Sequence, residues 1–166
     1  MTGWTEEGLI SSWRALAARQ GDEEWRLVNL AAIDLVTVQA GRHFPDSREA
    51  LVVAFPAGWL GKVSGLPDGK GFEATLLEGN PAFPGKDVIA LIRRLEGAFD
   101  IFAIMVVDLL RFLEDSRSKD ARALVAGFLE RVREWQSFMS RGIRPLSQEA
   151  QAGLYGELAA LQVLLD

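Results

Sequence analysis

Cysteine is missing altogether from these 166 residues, and histidine and tyrosine occur once each. The first absence removes disulfides, thiolate nucleophiles and cysteine zinc sites together, a pattern that suits a reducing compartment, so a cytoplasmic protein is expected. With one histidine and no cysteine, only an all-carboxylate metal site is left, and Asp100 and Asp108 stand too far apart on one helix to share an ion. No metal ligands are assigned. Lys and Arg (18) are outnumbered by Asp and Glu (23), giving a formal charge of −5. That excludes a general nucleic-acid coat protein, because neutralising phosphates needs clustered cations. There is no long hydrophobic run either. The most apolar segment, AFDIFAIMVVDLLRFL at residues 98–113, is broken by Asp100, Asp108 and Arg111, well short of the ~20 apolar residues of a membrane span. It reads as a buried core helix, and no membrane partner is expected. Residues 1–20 carry Glu6 and Glu7 and no basic stretch ahead of an apolar run, so no secretory signal is expected.

What is present describes a folded domain. Hydrophobic residues make up 49% of the chain, including five Trp and nine Phe, without low-complexity tracts, repeats or a Pro- or Ser-rich linker. Thr5 can cap a first helix with Leu9, Trp13 and Leu16 on one side, ended by Gln20 to Asp22. Residues 25–77 then break into short β-branched or apolar runs separated by Gly, Pro, Asp and Ser, which suggests an antiparallel meander. DVIALIRRL at 87–95 suits either a strand or the start of a helix; Val88 and Ile89 favour strand, with Gly97 as the break. Three helices should follow. One spans about 98–115 and one about 119–140, the latter with Leu124, Phe128, Val132, Trp135 and Met139 recurring at helical spacing. The third opens at Ser147 with a stripe of Ala150, Leu154, Leu158, Leu161 and Leu165, behind Pro145 and with Glu149 in its first turn. The expected class is α+β, with about four or five strands, an N-terminal helix and three C-terminal helices.

The candidate sites are few. His43 lies near Asp46 and Ser47, but three neighbours in one turn rarely give triad geometry, and a solvated loop histidine is the stronger reading. GLPDGKG at 65–71 imitates a phosphate loop with the wrong Gly-to-Lys spacing and no Ser or Thr after Lys70. Charge offers more. Residues 117–144 hold seven bases against three acids, +4, which leaves −9 for the rest of the −5 chain. Arg122 and Arg133 point away from the apolar stripe, and Arg141 and Arg144 follow it, so these four can meet a phosphate backbone together. The competing interpretation is a solvated helix face with a favourable C-terminal dipole. On the last helix Glu157 lies on the shoulder of the leucine stripe, and Gly153 and Gly156 lie beyond it. A helix-interior Gly costs ~1 kcal/mol against Ala, so these two call for a neighbour at close quarters.

The segment LSQEAQAGLYGELAALQVLL at 146–165, preceded by REWQSFM at 133–139, resembles a junction in the PD-(D/E)XK-motif proteins of bacterial restriction and phage-defence gene clusters, a nuclease-like family. The order of β-rich region, VVDLL helix and Trp-containing helix agrees with it. The resemblance implies that residues 1–145 form an N-terminal α+β domain and that 146–166 is the first helix of a nuclease core, with Glu157 as its acid. It also implies a magnesium-dependent endonuclease for the complete protein, with Asp and Glu-x-Lys carboxylates on strands that follow that helix. These residues contain no such strands, so an N-terminal region without cleavage activity of its own, and without a cofactor, is expected. The alternative is a stand-alone interaction module that binds a protein partner, or itself, through the exposed leucines and glycine flank of the C-terminal helix.

Overall fold

The structure, a computed structural model, describes residues 3–63, 65–117 and 120–141, together with Glu149 and Gly153. Helix α1 (Glu6–Ala18) starts where the Thr5 hydroxyl accepts the Gly8 N–H at 3.2 Å, and Glu6 and Glu7 sit against the positive end of its dipole. Leu9, Trp13 and Leu16 recur at steps of four and three and are its buried face. Five strands follow: β1 (Trp25–Ile33), β2 (Val36–His43), β3 (Arg48–Pro56), β4 (Phe72–Leu76) and β5 (Lys86–Arg93). Two helices complete the described chain, α2 (Phe99–Asp115) and α3 (Ala121–Arg141). The α+β class therefore holds. The third expected C-terminal helix lies outside the described residues apart from Glu149 and Gly153, both helical and exposed.

The sheet is antiparallel throughout but is not a simple meander. Its order is β1-β2-β3-β5-β4, so β5 returns to pair with β3 and leaves β4 at the edge. The short β4 has five residues, whereas β3 and β5 are apolar along almost their whole length. Strands buried on both faces must occupy the centre, and ALVVAF and VIALI are the two runs that can do so. Each face has its own cluster. Val36, Val38, Ala40, Leu51, Val53, Phe55, Ile89 and Leu91 pack with the inner faces of all three helices. The opposite face joins Ala50, Val52, Ala54, Val88, Ala90 and Ile92, with Phe83, Trp25, Leu27 and Leu77 packed around them.

The helices are pinned to the sheet by large aromatic groups. Trp13 is fully buried, donates its indole N–H to the Ala50 carbonyl at 3.0 Å, and lies with its ring centroid 5.7 Å from Phe102. Phe128 of α3 meets Phe55 of β3 edge-on, with centroids 5.7 Å apart. Such contacts add to area burial because ring edges and faces carry opposite partial charge. The turn into α2 needs Gly97: a Cβ there would lie 2.3 Å from the Gly71 carbonyl oxygen, so only glycine allows the two loops to meet.

Candidate nucleic-acid interface

Most described arginines are committed to the fold. Glu49, 5% exposed, is bridged by Arg42 at 3.1 Å and Arg93 at 2.6 Å. Pairing explains this, because Arg42 and Glu49 are direct cross-strand partners on β2 and β3, and β5 brings Arg93 alongside. Arg42 also donates to the Trp13 carbonyl, and Arg93 to the Gly97 carbonyl, so the cluster ties α1 and the α2 entry to the sheet. Across the same end of the molecule Arg48 bonds Glu73 at 3.0 Å and Arg94 bonds Asp68 at 2.6 Å. The Asp68 carboxylate keeps Arg94 even more firmly protonated than usual.

Helix α3 presents a different set. Asp120 opens it by accepting the Ala123 N–H at 2.9 Å, and Leu124, Val125, Phe128, Leu129 and Val132 bury its inner face. Arg131 leaves that face sideways to grip both oxygens of Asp108 on α2, at 2.8 and 2.7 Å, while the Trp135 indole donates to the same carboxylate at 2.8 Å. Arg131, seconded by Trp135, holds Asp108 below the usual carboxylate range although burial pushes the other way. Asp108 is thus a satisfied polar interruption at the core edge, as its isolated place in an apolar helix suggests.

The outward face of α3 carries Arg122, Arg133 and Arg141, all exposed. At ~100° and ~1.5 Å per residue, Arg122 and Arg133 lie ~20° and ~16 Å apart, and Arg141 stands ~80° and ~12 Å further on. Neither Arg122 nor Arg133 has a hydrogen bond or ion pair with any other described residue, and Arg141 reaches only the Ser137 hydroxyl, at 3.4 Å. Glu134 beside them is turned to Arg131, at 3.7 Å. The face accordingly offers cations whose charge is uncommitted. Arg144, Gly156 and Glu157 lie outside the described residues. At Gly153 an added Cβ would meet nothing within 4 Å.

The structure does not assemble a hydrolytic triad around His43. The residue ends β2 instead of sitting in a loop, its ring lies 4.6 Å from that of Trp25, and its nitrogens face Glu24 (3.4 Å) and Arg48 (3.2 Å). The Ser47 hydroxyl faces Arg42. Nor is the 65–71 segment a phosphate cradle: Gly69 donates to the Phe72 carbonyl, and Arg94 and Gln136 bind the Gly69 and Asp68 carbonyls. Asp68-Gly69-Lys70 has the (D/E)-x-K spacing, but it lies in a loop with its carboxylate on Arg94. No three His, Asp or Glu side chains converge among the described residues.

Sequence reasoning missed the Glu49 cluster, because Glu49 reads as an ordinary polar residue at a strand entrance. It also missed the open groove between the start of α2 and the end of α3, for which a signal was legible: Phe138, which lines it, falls off the buried stripe of α3 and is 57% exposed.

Residues 9–166 match the model of a family described as "Putative PD-(D/E)XK family member". The chain therefore belongs to that family, which places it in the nuclease-like PD-(D/E)XK superfamily. No curated protein and no solved structure matches it. No helix among the described residues is long and apolar enough to cross a membrane.

Proposed function

We propose that residues 1–166 are the amino-terminal region of a PD-(D/E)XK nuclease-like protein of DNA restriction and phage defence, and that their own task is to contact DNA rather than cut it. The observation that carries this reading is a contrast among arginines: Arg122 and Arg133 are exposed on one face of α3 and have no partner among the described residues, whereas Arg42, Arg93 and Arg131 are spent on carboxylates. Guanidinium groups at spacings of ~12–16 Å suit contacts to phosphates on either side of a groove ~12 Å wide, and such contacts position a protein without reading sequence. Arg144 extends the set, and Glu157 is assigned as the acid of the first nuclease-core helix, at the junction of domains 1–145 and 146–166. Cleavage in this superfamily needs Asp and Glu-x-Lys positions with magnesium, and the sequence contains no Glu-x-Lys.

The test is titration of duplex DNA with the 166-residue chain at several salt concentrations. Binding that falls steeply and log-linearly with salt, and weakens in Arg122→Ala, Arg133→Ala and Arg141→Ala, is the expected result. Absence of binding at low salt rejects the reading.

A further inference from the structure

The two edges of the sheet are not alike. β4 is short, carries Glu73, and its Phe72 carbonyl already accepts the Gly69 N–H at 3.2 Å. β1 is the open one. It runs nine residues with Arg26 as its single charge, and that guanidinium is turned back onto the Leu16, Arg19 and Gly21 carbonyls. Phe44 donates to the Glu24 carbonyl at 2.8 Å, so that pair is hydrogen-bonded, and the alternation of an antiparallel ladder then turns Arg26 and Val28 toward β2. Trp25, Leu27 and Asn29 therefore aim their amides and carbonyls away from the sheet. No hydrogen bond from another described residue reaches those groups. The exposed lysines and prolines that usually blunt an edge are missing from β1, and only a bulge between Asn29 and Ala31 ends the regular run.

We propose that residues 25–29 pair antiparallel with the same segment of a second copy, joining two five-stranded sheets edge to edge. The strand's own pattern favours this occupant. About a two-fold axis at Leu27, Leu27 meets its copy, Arg26 lies opposite Val28 of the second copy, and Trp25 lies opposite Asn29 of the second copy. No like charges face each other. The outward groups of the two strands match in this register and form about six backbone hydrogen bonds. Apolar surface is covered as well. Trp25 and Leu27 are partly buried at the margin of the cluster on the sheet face opposite the helices, so the joint extends that cluster from one copy into the next. Val28, 39% exposed in the middle of the segment, gains a neighbour on the other face. This pairing uses neither the α3 surface nor any residue beyond β1, and it stands or falls apart from DNA contact.

Sedimentation equilibrium of the full chain should show a dimer. Val28→Lys, at an exposed position that the fold tolerates, sets a cation across from Arg26 and should weaken the dimer at least about tenfold, with an unchanged circular-dichroism spectrum. Amide exchange gives a second readout on the wild-type chain: the Leu27 and Asn29 amides should be protected in the dimer and lose that protection on dilution. The Arg26 and Val28 amides, held by β2, should stay protected throughout. A chain that is monomeric at every concentration overturns the proposal. So does a dimer whose Leu27 and Asn29 amides exchange freely, which places the joint on another surface, and so does undiminished association in Val28→Lys.

Discussion

Two sets of arginines face opposite fates in this molecule. Arg42 and Arg93 converge on Glu49 at the end of the sheet's central strands, whereas Arg122, Arg133 and Arg141 line an open helix face with no carboxylate partner among the described residues. The residue type is the same, but the cost of removing a partner is not. A buried guanidinium that loses its acid keeps its desolvation penalty, while an exposed one remains hydrated. The first set therefore serves stability, and only the second is free to serve a ligand.

The largest effect expected is at the buried set. Glu49→Ala should cost about 3–5 kcal/mol by stranding two charges, read as a lower urea midpoint at unchanged m-value. A loss below about 1 kcal/mol would erase the distinction between the two sets. Replacing the whole cluster, with Arg42→Met, Glu49→Leu and Arg93→Leu together, should recover most of that loss, because no unpaired charge remains.

Next is Asp108. Asp108→Asn should cost about 1–2 kcal/mol at neutral pH, reduced by the partial exposure of the pair. Because Arg131 lowers the Asp108 pKa in the folded protein, its stabilisation is fully present above the unfolded value of ~3.9 and is lost as pH falls through the lower folded value. The stability gap between wild type and Asp108→Asn should then be constant from pH 5 to 7 and shrink as the pH falls below the unfolded value of ~3.9. A gap that persists in acid would assign it to packing.

The smallest stability effect belongs to the exposed set. Arg122→Ala, Arg133→Ala and Arg141→Ala should each change stability by less than about 0.5 kcal/mol, yet each should reduce the slope of log affinity against log salt for duplex DNA by about 0.9. Variants that unfold the protein, or that leave the salt slope unchanged, would show that these arginines belong with the first set or with neither.

Helices were legible because their signals are local. Thr5 with Leu9, Trp13 and Leu16, and the Leu124/Phe128/Val132 stripe, lie within a few turns of chain and emerged as α1 and α3 close to the expected bounds. The strand order was not legible. Nothing within GFEATLLE says that it will sit outside DVIALIR, since that depends on which strand meets Val52 and Val53 of β3. The candidate site divides in the same way. The outward direction of Arg122 and Arg133 followed from periodicity, but their lack of partners could be seen only once Glu134 was found turned to Arg131. His43 illustrates the reverse: its sequence neighbours Asp46 and Ser47 suggested chemistry, while its actual partners, Glu24 and Arg48, came from strand pairing.

By itself the sequence determined the α+β class, the face each described helix buries and the family, because apolar periodicity and caps act over a few residues and a family pattern is written along the chain. Tertiary structure alone decided which charges are spent and which are left over, and where an apolar surface stays open. Ion pairing and burial depend on groups brought together from distant positions, 44 residues apart for Glu49 and Arg93, and no local pattern encodes that meeting.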